Sequence, residues 1–132
     1  MFASLVLLTA GALVFVSATV QHLNTVGSKG LAFVMTDRST PLSREGVAGR
    51  LARTLQNNLE STGMVVPAAA VLLATGTDGP VVAGAALIYC AARVGFTISY
   101  WTGVSSMRSL FWGIGMASIV VLTASAALAV AP

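Results

Sequence analysis

Apolar positions in this chain gather into four blocks, and the polar positions collect between those blocks. The first block, "FASLVLLTAGALVFVSATV", runs from Phe2 to Val20 without a charge. The second covers Ser61 to Thr77, the third Pro80 to Trp101 and the fourth Ser109 to Val130. A helix needs about 20 apolar residues to cross ~30 Å of hydrocarbon, so each block reads as a membrane span. The second is the shortest and lies between Glu60 and Asp78. It reads as the continuation of a longer helix from about Val47, whose polar first turns reach past the hydrocarbon. Pro67 inside it is tolerable where neighbouring groups satisfy the freed carbonyl, and Pro80 suits the first turn of the third helix. The pattern predicts an all-α membrane protein: one domain over residues 1–132, built as a four-transmembrane-helix bundle.

Composition narrows the solvent. Of 132 residues, 56% are hydrophobic and 8% charged, and the mean hydropathy is +0.88. A soluble domain carries roughly a quarter charged residues, and at this length it would lack the polar surface to cover its core. The lipid bilayer is the partner this composition fits. No long basic stripe marks a nucleic-acid footprint. The N-terminal block lacks the basic n-region of a secretory signal, its first basic residue being Lys29, and it reads as a retained span.

Charge then sets orientation. Lys29, Arg38, Arg44, Arg50 and Arg53 lie between the first two spans, and Arg108 precedes the fourth. The opposite connection, "GTDGP", has no basic residue, and neither do the tails. By the positive-inside rule the Arg-rich loop is cytoplasmic and both termini of this multi-pass protein lie on the non-cytoplasmic side.

The most polar stretch, "RLARTLQNNLE" (50–60), leads directly into the second span. At 100° per residue Arg50, Arg53, Asn57 and Glu60 share an arc of roughly 80°. In the third span Arg93, Thr97 and Tyr100 form a comparable stripe. Counted at 1.5 Å per residue from the Asp78–Pro80 turn, Arg93 lies at about 20 Å and Glu60 at about 27 Å. A lone charge at that depth costs a few kcal/mol and must find a partner, so an Arg93–Glu60 pair is expected. Arg53, Asn57, Tyr100 and Arg108 exceed what one pair needs. Surplus cationic donors suit a polar, anionic ligand that enters from the cytoplasm. Arg50 reads as an arginine that snorkels to the interface.

"RTLQNNLE" resembles the Arg-x-x-x-Asn-x-x-Glu signature of the MAPEG family, the membrane-associated proteins in eicosanoid and glutathione metabolism. "ARVGFTISYWTGVSSMRS" is similar to that family's third-span arginine, its later tyrosine and the Arg-Ser that opens the fourth span. The resemblance covers spans two to four in order; span one matches only in being apolar. It implies a homotrimer of four-helix bundles that binds glutathione as co-substrate between subunits. It also implies a glutathione transferase or peroxidase acting on lipophilic electrophiles, hydrophobic small molecules that arrive through the bilayer. Arg53, Asn57, Glu60, Arg93 and Tyr100 would then belong to the glutathione site. Arg108 would stand by the thiol as a catalytic group, with Ser109 offering the sulfur a further hydrogen bond. The family also has a non-catalytic lipid-binding member. The sequence departs from its better-known enzymes in "VQHLNTVG", which has His22 where they carry an arginine, and in Gln56, Ser61 and Phe96.

Other chemistry finds little support. Cys90 is the single cysteine, so neither a disulfide nor a thiolate metal cluster can form within the chain. With His22 the sole histidine, a metal site built from several histidines is excluded. "GIGMAS" (113–118) lies in mid-span with no strand before it, which removes a dinucleotide loop. A small four-span cation exporter would place an acidic residue within its first span, and this one has none. A non-catalytic lipid-binding or structural membrane protein remains the alternative.

Overall fold

In the computed structural model, which describes residues 1–37 and 41–132, the chain is helical with no strand among the described residues. Helix α1 spans Phe2–Lys29, the single turn α2 Leu31–Val34, α3 Gly46–Ala74, α4 Pro80–Thr102 and α5 Ser105–Ala129. Three of them, α1, α4 and α5, are long and apolar enough throughout to cross a membrane. The 29-residue α3 has the length, but its first turns hold the polar stretch. Helix α1 runs nine residues beyond Val20 and stops at Gly30, whose φ of 84° leaves helical space. Arg38, one of the loop's basic residues, lies outside the described residues.

The turns explain the helix ends. Helix α3 closes on Gly76 (φ 66°), where Thr77 N–H returns to the Leu72 carbonyl at 3.0 Å and Gly76 N–H to that of Leu73 at 3.3 Å. Helix α4 closes the same way on Gly103 (φ 84°), with Val104 N–H on the Ser99 carbonyl at 2.9 Å. Both are left-handed glycine caps that satisfy the last free carbonyls. The second lets α5 start at Ser105, four residues before Ser109. Between α3 and α4, Asp78 ties in α1. Its carboxylate accepts from the Met1 ammonium at 2.7 Å and from Phe2 N–H at 3.2 Å. Those two bonds, the ammonium's first, hold its carboxyl below the usual carboxylate value. A folded pKa below the unfolded one means the tie contributes fully above the ordinary carboxylate range and is lost as pH falls through the folded value.

Helix packing follows a flattened four-membered ring in the order α1, α3, α5, α4. Adjacent members touch along their lengths, α3 and α4 also meet across the short diagonal, and α1 and α5 do not touch. The ring has two unlike halves. Near the Asp78 turn the core is apolar and built of small residues: Ala3, Val6, Ala10, Val65, Ala68, Ala69, Leu72, Ala85, Ala86 and Leu122. Helices in lipid associate by close packing more than by leaving water, and small side chains permit the approach. Toward the other end the buried positions turn polar: Ser17, Thr54, Asn58, Ser61, Arg93 and Thr97. The hydroxyls of Ser61 and Tyr89, 3.1 Å apart, mark the join.

Glycines at the α4–α5 contact test this packing. A Cβ at Gly95 would come within 2.8 Å of the Phe111 ring, whereas one at Gly113 would meet nothing within 4 Å. Gly95→Ala is expected to destabilise the fold by about 1–3 kcal/mol, the usual range for overpacking. Gly113→Ala should leave the thermal melting midpoint of the detergent-solubilised protein unchanged.

Candidate functional site

Arg93 lies at the centre of the polar half, 1% exposed, and reaches across the short diagonal from α4 to α3. Its Nη1 donates to Asn57 Oδ1 at 3.0 Å. Its Nη2 donates to the Asn57 carbonyl at 3.3 Å and closely to Asn58 Oδ1. Helix α5 makes room for the stem with Gly115, where a Cβ would lie 3.4 Å from Arg93 Cδ. The second asparagine extends the network. Asn58 Nδ2 donates to Ser17 Oγ on α1 at 2.9 Å and to Thr97 Oγ1 at 3.2 Å. Thr97 Oγ1 donates in turn to the Arg93 carbonyl at 2.9 Å. One side chain, Asn58, thus connects α1, α3 and α4.

The expected Arg93–Glu60 pair is not formed. Glu60 is exposed and accepts from Gln56 Nε2 at 2.9 Å; among the described residues the one ion pair is Met1 with Asp78. Helix phase is the reason. Leu51, Thr54, Asn58, Ser61, Val65 and Leu72 define the inward face of α3, and Glu60 lies roughly 130° round the helix from it at 100° per residue. Asn57 falls at the edge of that face and Asn58 on it, so oxygens from these two reach Arg93 first. Depth along the axis placed Glu60 near Arg93, and direction kept them apart.

Outside this sealed network, cations and aromatics climb toward the Arg-rich end. The Arg93 guanidinium lies 4.5 Å from the Phe96 ring centroid. Phe96 meets Tyr100 edge-on, centroids 5.3 Å apart and planes at 69°, and the Arg108 guanidinium lies 4.9 Å from the Tyr100 ring. The glycine cap at Gly103 creates this last contact, because only two residues separate α4 from α5. Arg50 Nε donates to the Trp101 carbonyl at 3.3 Å, clamping α3 onto the end of α4. Arg53 Nη1 turns back to the Arg44 carbonyl at 3.1 Å.

Two open clefts flank the Tyr100–Arg108 contact. One, of about 230 Å³, is lined by Gly46, Arg50, Arg53, Ser99, Tyr100, Gly103, Val104, Ser105 and Arg108. The other, of about 210 Å³, is lined by Asn57, Phe96, Tyr100, Arg108, Ser109 and Trp112. Their linings supply guanidinium, hydroxyl, indole and amide donors, and no carboxylate lines either. Anions and neutral acceptors fit such a surface. The Ser109 hydroxyl donates to its own helix at Ser105 O, 3.4 Å away. A larger cleft of about 470 Å³ lies on the other flank of α3, between Gln21, Arg44, Arg53, Gln56 and Leu59.

Of the residues singled out in the sequence, Arg53, Asn57, Tyr100, Arg108 and Ser109 therefore line the paired clefts. Arg93 sits behind Asn57, and Glu60 faces outward. Asn58 and Ser17 escaped notice. A signal for Asn58 was available: Thr54, Asn58 and Ser61 recur at helical spacing in phase with the apolar Leu51 and Val65. Asn58→Ala would leave part of a buried guanidinium without an acceptor, a loss of about 1.5–3 kcal/mol for a hydrogen bond to a charged group. A clear drop in the thermal melting midpoint is expected.

Comparison with known proteins gives one match. The family model described as MAPEG family aligns with residues 1–128. No curated protein and no solved structure matches the chain.

Proposed function

This chain belongs to the MAPEG family of membrane proteins, and on that premise we propose that it is a glutathione-dependent transferase or peroxidase acting on lipophilic electrophiles. The guanidinium-bearing, carboxylate-free clefts at Tyr100 and Arg108 carry the reading. Glutathione offers two carboxylates, two peptide carbonyls and a thiol. A thiol of pKa about 8.5 is mostly protonated at neutral pH, and an adjacent guanidinium favours the nucleophilic thiolate. Arg108 is the guanidinium best placed for this, at the first turn of α5, held over Tyr100, and common to both clefts. In the transferase reaction the thiolate attacks the electrophilic carbon and forms the C–S bond of the thioether, while either a leaving group departs with its electron pair or a C=C π bond opens and the neighbouring carbon takes up a proton. Trp112 and Phe96 give the cleft the apolar wall that a lipophilic partner needs.

The assembly belongs to the same proposal. The chain would cross the bilayer four times, α3 being the remaining span, with its basic end cytoplasmic under the positive-inside rule. Glu60, Gln56, Leu59, Met64, Pro67 and Ala70 lie exposed along the outward flank of α3. A carboxylate facing lipid costs a few kcal/mol at least, which supports burial of this flank against further copies; family membership supports a homotrimer as that assembly. The ammonium of glutathione, which the cleft's own donors cannot hold, would then find its acceptor at the interface.

Two measurements test the proposal. The purified protein should bind glutathione saturably in the millimolar range or below. Arg108→Ala should reduce turnover about 100-fold, the scale of losing one preorganised charge-stabilising donor, and should diminish the thiolate absorbance of bound glutathione. Absence of binding at millimolar glutathione would move the assignment to a non-catalytic lipid-binding or structural protein. Separately, Glu60→Ala should weaken self-association in detergent about tenfold, read by native mass spectrometry.

A further inference from the structure

Arg93 is buried, charged and unpaired with any carboxylate among the described residues, and what it does to Asn57 has a chemical consequence. A guanidinium has donors and no acceptor. Whatever asparagine group faces it must be the amide oxygen, so the contact fixes which way each amide points. For Asn58 the choice is absorbed internally, since its Nδ2 is taken by Ser17 and Thr97. Asn57 differs. Its oxygen is held by Arg93 at 3.0 Å, its side chain lines the cleft beside Tyr100, Arg108 and Ser109, and its Nδ2 has no partner among the described residues.

We propose that Arg93 is a positioning residue: by taking Asn57 Oδ1 it turns the Asn57 amide NH₂ to the cleft, so that the Asn57 side chain can only donate there. The asparagine side chain is in principle ambivalent, able to offer an oxygen or a nitrogen. Behind it the buried guanidinium removes that freedom. The site thereby requires an acceptor-bearing, preferably anionic group at this position, and a ligand presenting an ammonium there is refused. Arg93 touches no ligand and acts through Asn57. The ligand half of the inference rests on the glutathione reading; the orientation half does not.

Asn57→Asp is the discriminating substitution, because it keeps the shape and replaces the donor by a second oxygen. One carboxylate oxygen would pair with Arg93 while the other faces the cleft. The variant should therefore melt at or above the wild-type temperature, whereas in an Arg93→Met background the same change should lower the midpoint. This double-mutant cycle reads the coupling without any ligand. Glutathione affinity should fall at least tenfold in Asn57→Asp and severalfold in Arg93→Met, which leaves no donor to hold the Asn57 amide oxygen.

If Asn57→Asp lowers the midpoint equally in both backgrounds, the two side chains are not coupled and the proposal is overturned. The same follows if the variant binds glutathione as tightly as wild type. Should the wild type fail to bind glutathione, the proposed activity falls, and the melting cycle alone decides the orientation of Asn57.

Discussion

A guanidinium placed across the short diagonal of a helical ring, with amide and carbonyl oxygens in place of a carboxylate, is the constraint on which this structure depends. Such a charge tolerates neither apolar contact nor vacancy, because desolvation without compensation is expensive. Everything near Arg93 can be understood as compensation. Two consecutive asparagines supply three oxygens, Phe96 supplies a π face, and Gly115 on α5 withholds a side chain so that the stem can pass. The neutrality of the acceptors matters as much as their number. An ion pair here would cancel its own field, whereas amides leave the positive potential to act on the neighbouring cleft.

That division of labour separates stability from chemistry within a short chain. The small-residue core beside the Asp78 turn needs nothing from the polar half beyond the Ser61–Tyr89 contact. The polar half in turn draws residues from α1, α3 and α4, so it ties three of the four long helices together. Ser17 is the member from α1 and binds through a single hydroxyl. It registers α1 against α3 in a medium where apolar packing alone would allow a helix to slide or rotate.

How much of this could be read from the chain depended on whether the controlling variable was local. Spacing and composition sufficed for long helices and for a membrane environment, because a run of apolar residues has no other good solvent. The partner of Arg93 was not local. Rise per residue placed Glu60 at a suitable depth, but the decisive quantity was the direction of α3's buried face, which depends on how α1, α4 and α5 surround it. A polar residue two positions away, Asn58, points inward and Glu60 outward. Family resemblance helped with the list of site residues and could not supply this direction either. Gathering Arg53, Asn57, Tyr100, Arg108 and Ser109 around shared clefts required the tight α4–α5 turn, whose geometry only coordinates reveal.

The connections themselves have a mechanical corollary. Asp78 pins the start of α1 to the α3–α4 turn at one end, and the Gly103 cap sews α4 to α5 at the other. At the arginine-bearing end, α3 and the α4–α5 hairpin are therefore joined by no stretch of backbone, and the Arg50–Trp101 clasp is the hydrogen bond across that seam. Widening there would break no covalent link, and its limit would be set one level deeper, where the Arg93 bonds to Asn57 and Asn58 hold α3 to α4.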